Sequence, residues 1–128
     1  MVDESKPKVF GLDEVNKNNK IYVVEGPIDS LFLNNSIAMA GADLSSLQLP
    51  KPVIVYDNEP RNKEIIRRME KVIQRGSELV VWPDYIEDKD INDMIISGYD
   101  THDIMSILKD RTYSGLSASA KLSEWRKI

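Results

Sequence analysis

Three short runs of unbroken apolar residues set the tightest limit on how this chain can fold. They are Ile21-Tyr22-Val23-Val24, Val53-Ile54-Val55-Tyr56 and Leu79-Val80-Val81-Trp82. Each is rich in β-branched or aromatic side chains, and each stops at a turn-forming or acidic residue. A strand with one wet face alternates apolar and polar residues, because successive side chains point to opposite faces of the sheet. Runs without alternation therefore predict strands covered on both faces, as in a parallel sheet enclosed by helices. A weaker run, Ser36-Ile37-Ala38-Met39-Ala40, ends at Gly41 and reads as the second of four strands in chain order.

Helical patterns fill the intervals. Residues 28–33 carry a short one. Residues 61–75 carry a longer one, in which Ile65, Met69, Val72 and Ile73 share one face, Arg68, Lys71 and Arg75 share another, and Gly76 is a natural stop. Further helices are predicted over 91–97, 101–109 and 116–125. Strands alternating with helices imply right-handed crossovers, so the predicted fold is α/β, with a mainly parallel sheet of about four strands and helices on both faces. A length of 128 residues suits one such domain. Residues 1–19 are polar and read as a tether or boundary, residues 20–110 as the α/β domain, and residues 111–128 as a C-terminal helical extension.

In open parallel sheets the ligand site lies beyond the carboxyl ends of the strands. There the sequence concentrates acids. The first strand runs into Glu25-Gly26-Pro27-Ile28-Asp29 and the third into Asp57-Asn58-Glu59. Gly26 permits a tight turn, Pro27 suits a first helical position, and Asp29 falls in the first helical turn, where a negative charge is favoured. Asp29 alone is only a good cap. Glu25 differs, since a carboxylate on the end of a buried strand costs desolvation unless a cation or donor meets it. Asp57 and Glu59, two apart on an extended segment, are expected to point the same way. The fourth strand leads to Asp84, Glu87, Asp88, Lys89, Asp90, Asn92 and Asp93 on the same sheet edge, so Asp90 or Asp93 can join the cluster. Converging carboxylates repel, and a hard divalent cation with oxygen ligands is the usual remedy.

Composition removes the competing chemistries. With no cysteine and one histidine, His102, the chain cannot build a disulfide framework, a cysteine zinc site or a thiol nucleophile, and multi-histidine metal sites and Ser-His triads are nearly excluded. No apolar run reaches membrane-spanning length and the N-terminus lacks a secretory signal, so no membrane partner and a cytoplasmic location are expected, that of the host cell if the gene is viral. The net charge of −4 disfavours wrapping duplex nucleic acid by bulk charge, though a basic face remains at Arg61, Lys63, Arg68 and Lys71. Assigning six acids to one sheet edge leaves the remaining surface mildly basic, which suits a phosphate-bearing substrate.

Glu25-Gly26-x-x-Asp29 after a hydrophobic strand, Asp57-x-Glu59 after a later one, and Lys89-Asp90-x-Asn92-Asp93 before a helix together resemble the Toprim domain shared by topoisomerases, bacterial-type primases and some nucleases. The resemblance covers roughly residues 20–100. Within that superfamily the stretch from Val24 to Leu33, then Ala40-Gly41-Ala42-Asp43, then Asp57 to Glu64, is most similar to the DNA primases of T4-like bacteriophages, cyanophages included, and extends to Tyr113-Ser114-Gly115-Leu116 and Trp125. The resemblance implies a Rossmann-like Toprim fold. It implies that Glu25 acts as general acid or base or metal ligand, that Asp57 and Glu59 hold Mg²⁺ or Mn²⁺, and that Asp90 is a further ligand. Gly26, Asp29, Lys89, Asn92 and Asp93 are then supporting residues near metal and nucleotide phosphates. Where the commoner pattern reads Asp-x-Asp-x-x-Gly, this chain has Glu59 and Asn62 in place of the second Asp and the Gly.

The implied function is Mg²⁺-dependent nucleotidyl transfer in RNA primer synthesis during DNA replication, on a DNA template with nucleoside triphosphates. The implied partners are a zinc-bearing primase module and a replicative helicase. Because such primases also use a cysteine-bearing module and a basic template subdomain, the chain is expected to be a fragment or a split-gene product that does not synthesise primers alone. Two other readings compete: a stand-alone Toprim nuclease or RNA-processing phosphodiesterase using the same acids, and a non-catalytic replisome adaptor that keeps only the fold.

Overall fold

The computed structural model of the chain describes residues 8–10, 20–26, 35–40 and 52–127. In chain order these form β1 (Lys8–Phe10), β2 (Ile21–Val24), β3 (Ser36–Ala40), β4 (Pro52–Val55), α1 (Lys63–Gln74), β5 (Glu78–Val80), α2 (Ile91–Ser97), α3 (Thr101–Asp110), β6 (Thr112–Tyr113) and α4 (Gly115–Trp125). The predicted helix over 28–33, with Asp29, lies outside the described residues. No helix among the described residues is long and apolar enough to cross a membrane.

Among the described residues all the strands join one six-stranded sheet in the order β1-β3-β2-β4-β5-β6. The four strands predicted from the apolar runs, β3, β2, β4 and β5, are its parallel centre. β1 and β6 add antiparallel edges, so the sheet is wider than the four strands expected. Both edges are too short to carry a readable pattern, at three and two residues. β1 also draws Lys8–Phe10, within the supposed polar tether, into the sheet. The β5 run is shorter than its apolar stretch, yet the Val81 N–H still donates to the Arg111 carbonyl at 3.0 Å and Trp82 is buried.

Burial on both faces holds as predicted. Every residue of β2 is buried, and so are Val53, Ile54 and Val55 of β4. Since neighbours along a strand face opposite ways, neither side of these strands meets water. The helices supply Met69, Met94, Ile104 and Leu108 to the same core, each essentially inaccessible. The C-terminal segment belongs to this core: α4 packs on α1 and β5, and buries Ala118, Leu122 and Trp125.

Helix α1 starts where Asn62 caps it, its side-chain oxygen accepting from the backbone N–H groups of Glu64 and Ile65 at 3.0 and 3.2 Å. It stops at Gly76, whose φ of +79° suits glycine. The N–H of Gly76 donates to Ile73 and that of Ser77 to Val72, so the last carbonyls of the helix are satisfied.

The strand order locates the site. Following the parallel strands along the chain, β3 is added on one side of β2 and β4 on the other, so the order switches between β2 and β4. A crevice opens at such a switch point, outside the carboxyl ends of the two strands. Leu108 of α3 is fully buried, and Leu108→Ala should lower unfolding free energy by about 3 kcal/mol, measured as a fall in urea midpoint.

Candidate functional site

The residues that end β2 and β4 are the acids singled out above. Val24 pairs with Val55 across the two strands, so Glu25 comes level with Tyr56, one residue before Asp57. Glu25 is partly buried and faces Arg68 of α1, its Oε1 3.4 Å from the guanidinium. Asp57 is also partly buried.

The 57–59 segment is a tight turn rather than the extended continuation expected from the sequence. The Glu59 N–H donates to the Asp57 carbonyl at 2.9 Å, closing a three-residue loop with Asn58 at its apex. Asn58 turns inward and is the one polar residue in the core among the described residues. Its side-chain N–H groups donate to the carbonyls of Ile86 at 2.9 Å and Asp88 at 3.1 Å. Its side-chain oxygen accepts from the Trp125 indole N–H at 3.0 Å, and its backbone N–H donates to the Lys89 carbonyl. One residue earlier, the Trp82 indole N–H donates to the Tyr56 carbonyl at 2.8 Å. Both tryptophans are thus core residues.

Glu59 is held at both oxygens. Oε1 lies 3.5 Å from the Lys89 ammonium, and Oε2 accepts from the Asn62 side-chain N–H at 3.0 Å. Glu59 and Asn62 are the two positions at which the chain departs from the commoner Asp-x-Asp-x-x-Gly pattern. Here they contact each other, so the longer carboxylate is steadied by the amide that replaces the glycine. An open cavity of about 470 Å³ beside them is lined by Glu59, Pro60, Arg61 and Asn62.

Lys89 collects the field of the cluster. Glu59 beside it, and then Asp57 and Asp90, hold its ammonium above the usual lysine range. Carboxylates from two loops therefore bias one position toward positive charge, and in this structure the lysine supplies it. The donors around it are oxygens only, the chemistry preferred by a hard divalent cation. Among the described residues, however, no three acids close into a ready metal-binding group.

Asp90 plays a different part from the ligand role inferred from resemblance. It is the N-cap of α2, its Oδ1 accepting from the Asp93 N–H at 2.8 Å, so one oxygen is committed to the helix end. Asp93 is exposed in the first turn, and Asn92 is partly buried beside it. Gly26 follows Glu25 at the mouth of the crevice, and Asp29 lies outside the described residues. On α1, Arg68 is engaged with Glu25 and Glu64, whereas Lys63 and Lys71, and Arg61 just before the helix, are exposed. His102 is exposed in the first turn of α3. Asn62→Ala should cost about 1 kcal/mol of stability through loss of the cap, read from denaturant unfolding.

Asn58 and Trp125 are the site residues that sequence reasoning missed. An asparagine between two acids reads as turn chemistry, and only its position between Asp57 and Glu59 hinted at more.

No family model matches the chain. A relative of known identity does: the chain is 40% identical over 126 residues to a DNA primase of Enterobacteria phage T4, the match covering 94% of this chain and 36% of the relative. The chain thus spans little more than a third of that protein's length and is related to a phage DNA primase across nearly all of its own.

Proposed function

We propose that this chain supplies the Toprim-type, cation-dependent part of a phage DNA primase, in which Asp57 and Glu59 hold Mg²⁺ or Mn²⁺ with Glu25 alongside. The observation that carries the reading is that the adjacent strand ends at the switch point between β2 and β4 carry Glu25 and Asp57, in a chain 40% identical over 126 residues to a phage primase. A merely solvated loop has no reason to bury the middle of its acidic triplet. The open cavity beside Glu59 is of a size to take part of a nucleotide.

The chain's own groups divide the work. Asp57 and Glu59 project from a turn whose apex is locked in the core, so they change position little when a cation arrives. Lys89 is paired with Glu59 across a solvent-exposed contact, a weak and exchangeable interaction. Asp57 and Glu59 would hold a divalent cation here, and the Lys89 ammonium beside Glu59 would be placed to meet a phosphate group. Arg68 orients Glu25 at the neighbouring strand end, where a proton must be taken up or given. A bound divalent cation would contribute charge neutralisation at the attacking and leaving oxygens of phosphoryl transfer. Asp90 is better suited to holding the end of α2 than to direct ligation, given its capping bond. Template contacts fall to the exposed Arg61, Lys63 and Lys71, and further polypeptide, such as a zinc-bearing module, would complete the enzyme and its link to a helicase.

The test is primer synthesis on single-stranded DNA with labelled nucleoside triphosphates and Mg²⁺, with the chain joined to the remaining primase modules. Labelled primers should appear with the natural chain and fall by about 100-fold with Glu25→Gln or Asp57→Asn, within the range expected of a lost catalytic group. Cleavage of the labelled DNA by the chain alone, abolished by Glu25→Gln, would overturn the primase reading in favour of a nuclease.

A further inference from the structure

We infer that Asn58 and Trp125 are positioning residues for the Asp57 and Glu59 carboxylates, making the C-terminal helix α4 a working part of the cation site. The inference rests on the cation-binding reading above and extends it to residues that touch neither cation nor substrate.

Asn58 sits between the two acids and points away from them into the core. Both side-chain N–H groups and the side-chain oxygen are engaged, by Ile86, Asp88 and Trp125. No buried side-chain nitrogen or oxygen lacks a partner among the described residues. Burying an amide is costly unless each group is met, and a met amide accepts few alternative geometries. The 57–59 turn can therefore sit in essentially one place relative to the 86–89 loop and to α4. The Asn58 N–H bond to the Lys89 carbonyl extends the same constraint to the residue whose ammonium faces Glu59. Two loops that supply opposite charges to the site are thus tied at one residue, and the tie is completed from a helix 67 positions along the chain.

A hydrogen bond needed only for folding would not require this location. Trp125 already buries its ring against the core, and a phenylalanine there would keep most of that packing. What only the indole N–H supplies is a donor to the Asn58 oxygen. Groups that orient metal ligands from behind change affinity by about 10- to 100-fold when removed.

Mn²⁺ titration followed by the EPR signal of the free ion tests the inference without any enzymatic readout. Trp125→Phe should weaken Mn²⁺ binding by about 10-fold and broaden the bound-ion spectrum, and Asn58→Ala should do so more strongly. Leu108→Ala, destabilised in the core outside this hydrogen-bond network, should bind Mn²⁺ like the natural chain. Natural affinity in Trp125→Phe, or a loss no greater than that in Leu108→Ala, would overturn the positioning role. Failure of the cation reading itself has a different signature: Mn²⁺ binding by the natural chain that is absent, or unchanged in Asp57→Asn, overturns both. Trp125→Phe retains an aromatic ring, so the decision does not depend on Asn58→Ala remaining folded.

Discussion

Burial of both faces of β2 and β4 is the constraint from which the rest of the molecule follows. Every residue of β2 and three of four in β4 are removed from water, so no polar chemistry can sit along these strands. The first positions at which a charge can be tolerated are the strand ends. The topology then decides which ends meet: because β3 and β4 are added on opposite sides of β2, Glu25 and Asp57 emerge side by side rather than at distant edges. Gathering acids there is unfavourable by itself. Two devices of the fold make it tolerable, namely basic side chains from other elements and a buried amide that fixes the backbone beneath the acids.

These devices act at different strengths. The contacts of Glu25 with Arg68 and of Glu59 with Lys89 are at the surface, where water and salt weaken them. They orient the carboxylates without locking them in place. The Asn58 network is buried and directional, and breaking one bond leaves its partners unsatisfied. A rigid floor beneath exchangeable charges is the arrangement expected of a site that must accept and release a cationic or phosphate ligand without refolding. The Glu59–Asn62 contact fits the same logic. The added methylene of a glutamate would make a less defined ligand, and the amide of the helix cap restrains it.

Much of this was legible in the sequence, and the reasons for the rest are physical. Unbroken apolar runs identified the four parallel strands, and apolar periodicity with Gly76 identified α1, because both signals arise from core burial, the dominant local cause of pattern. The acids at the strand ends were visible for the complementary reason that burial excludes them elsewhere. The edge strands β1 and β6 left no trace, being too short for periodicity and stabilised by pairing with distant partners. For Asp90 the resemblance implies a ligand, and the structure adds a helix-capping bond at one of its oxygens that type and spacing do not announce. Asn58 carries no signal in the sequence, since nothing local announces that its amide meets Trp125 at a sequence distance of 67. The helix over 116–125 is legible in the sequence, but its docking against α1 and β5 is a tertiary fact that no local pattern states.

The chain is 40% identical over 126 residues to a DNA primase of phage T4, of which it covers 36%. The account stands or falls on whether a divalent cation is drawn to the turn after β4. Paramagnetic broadening by substoichiometric Mn²⁺ in the amide spectrum of the isotope-labelled chain tests this most directly. The account predicts that the signals of residues 57–59 and Lys89 broaden first, followed by Glu25, while those of α3 stay sharp. Broadening spread evenly over the acidic surface, or centred on the α3 cap at Asp100 and Asp103, would contradict it.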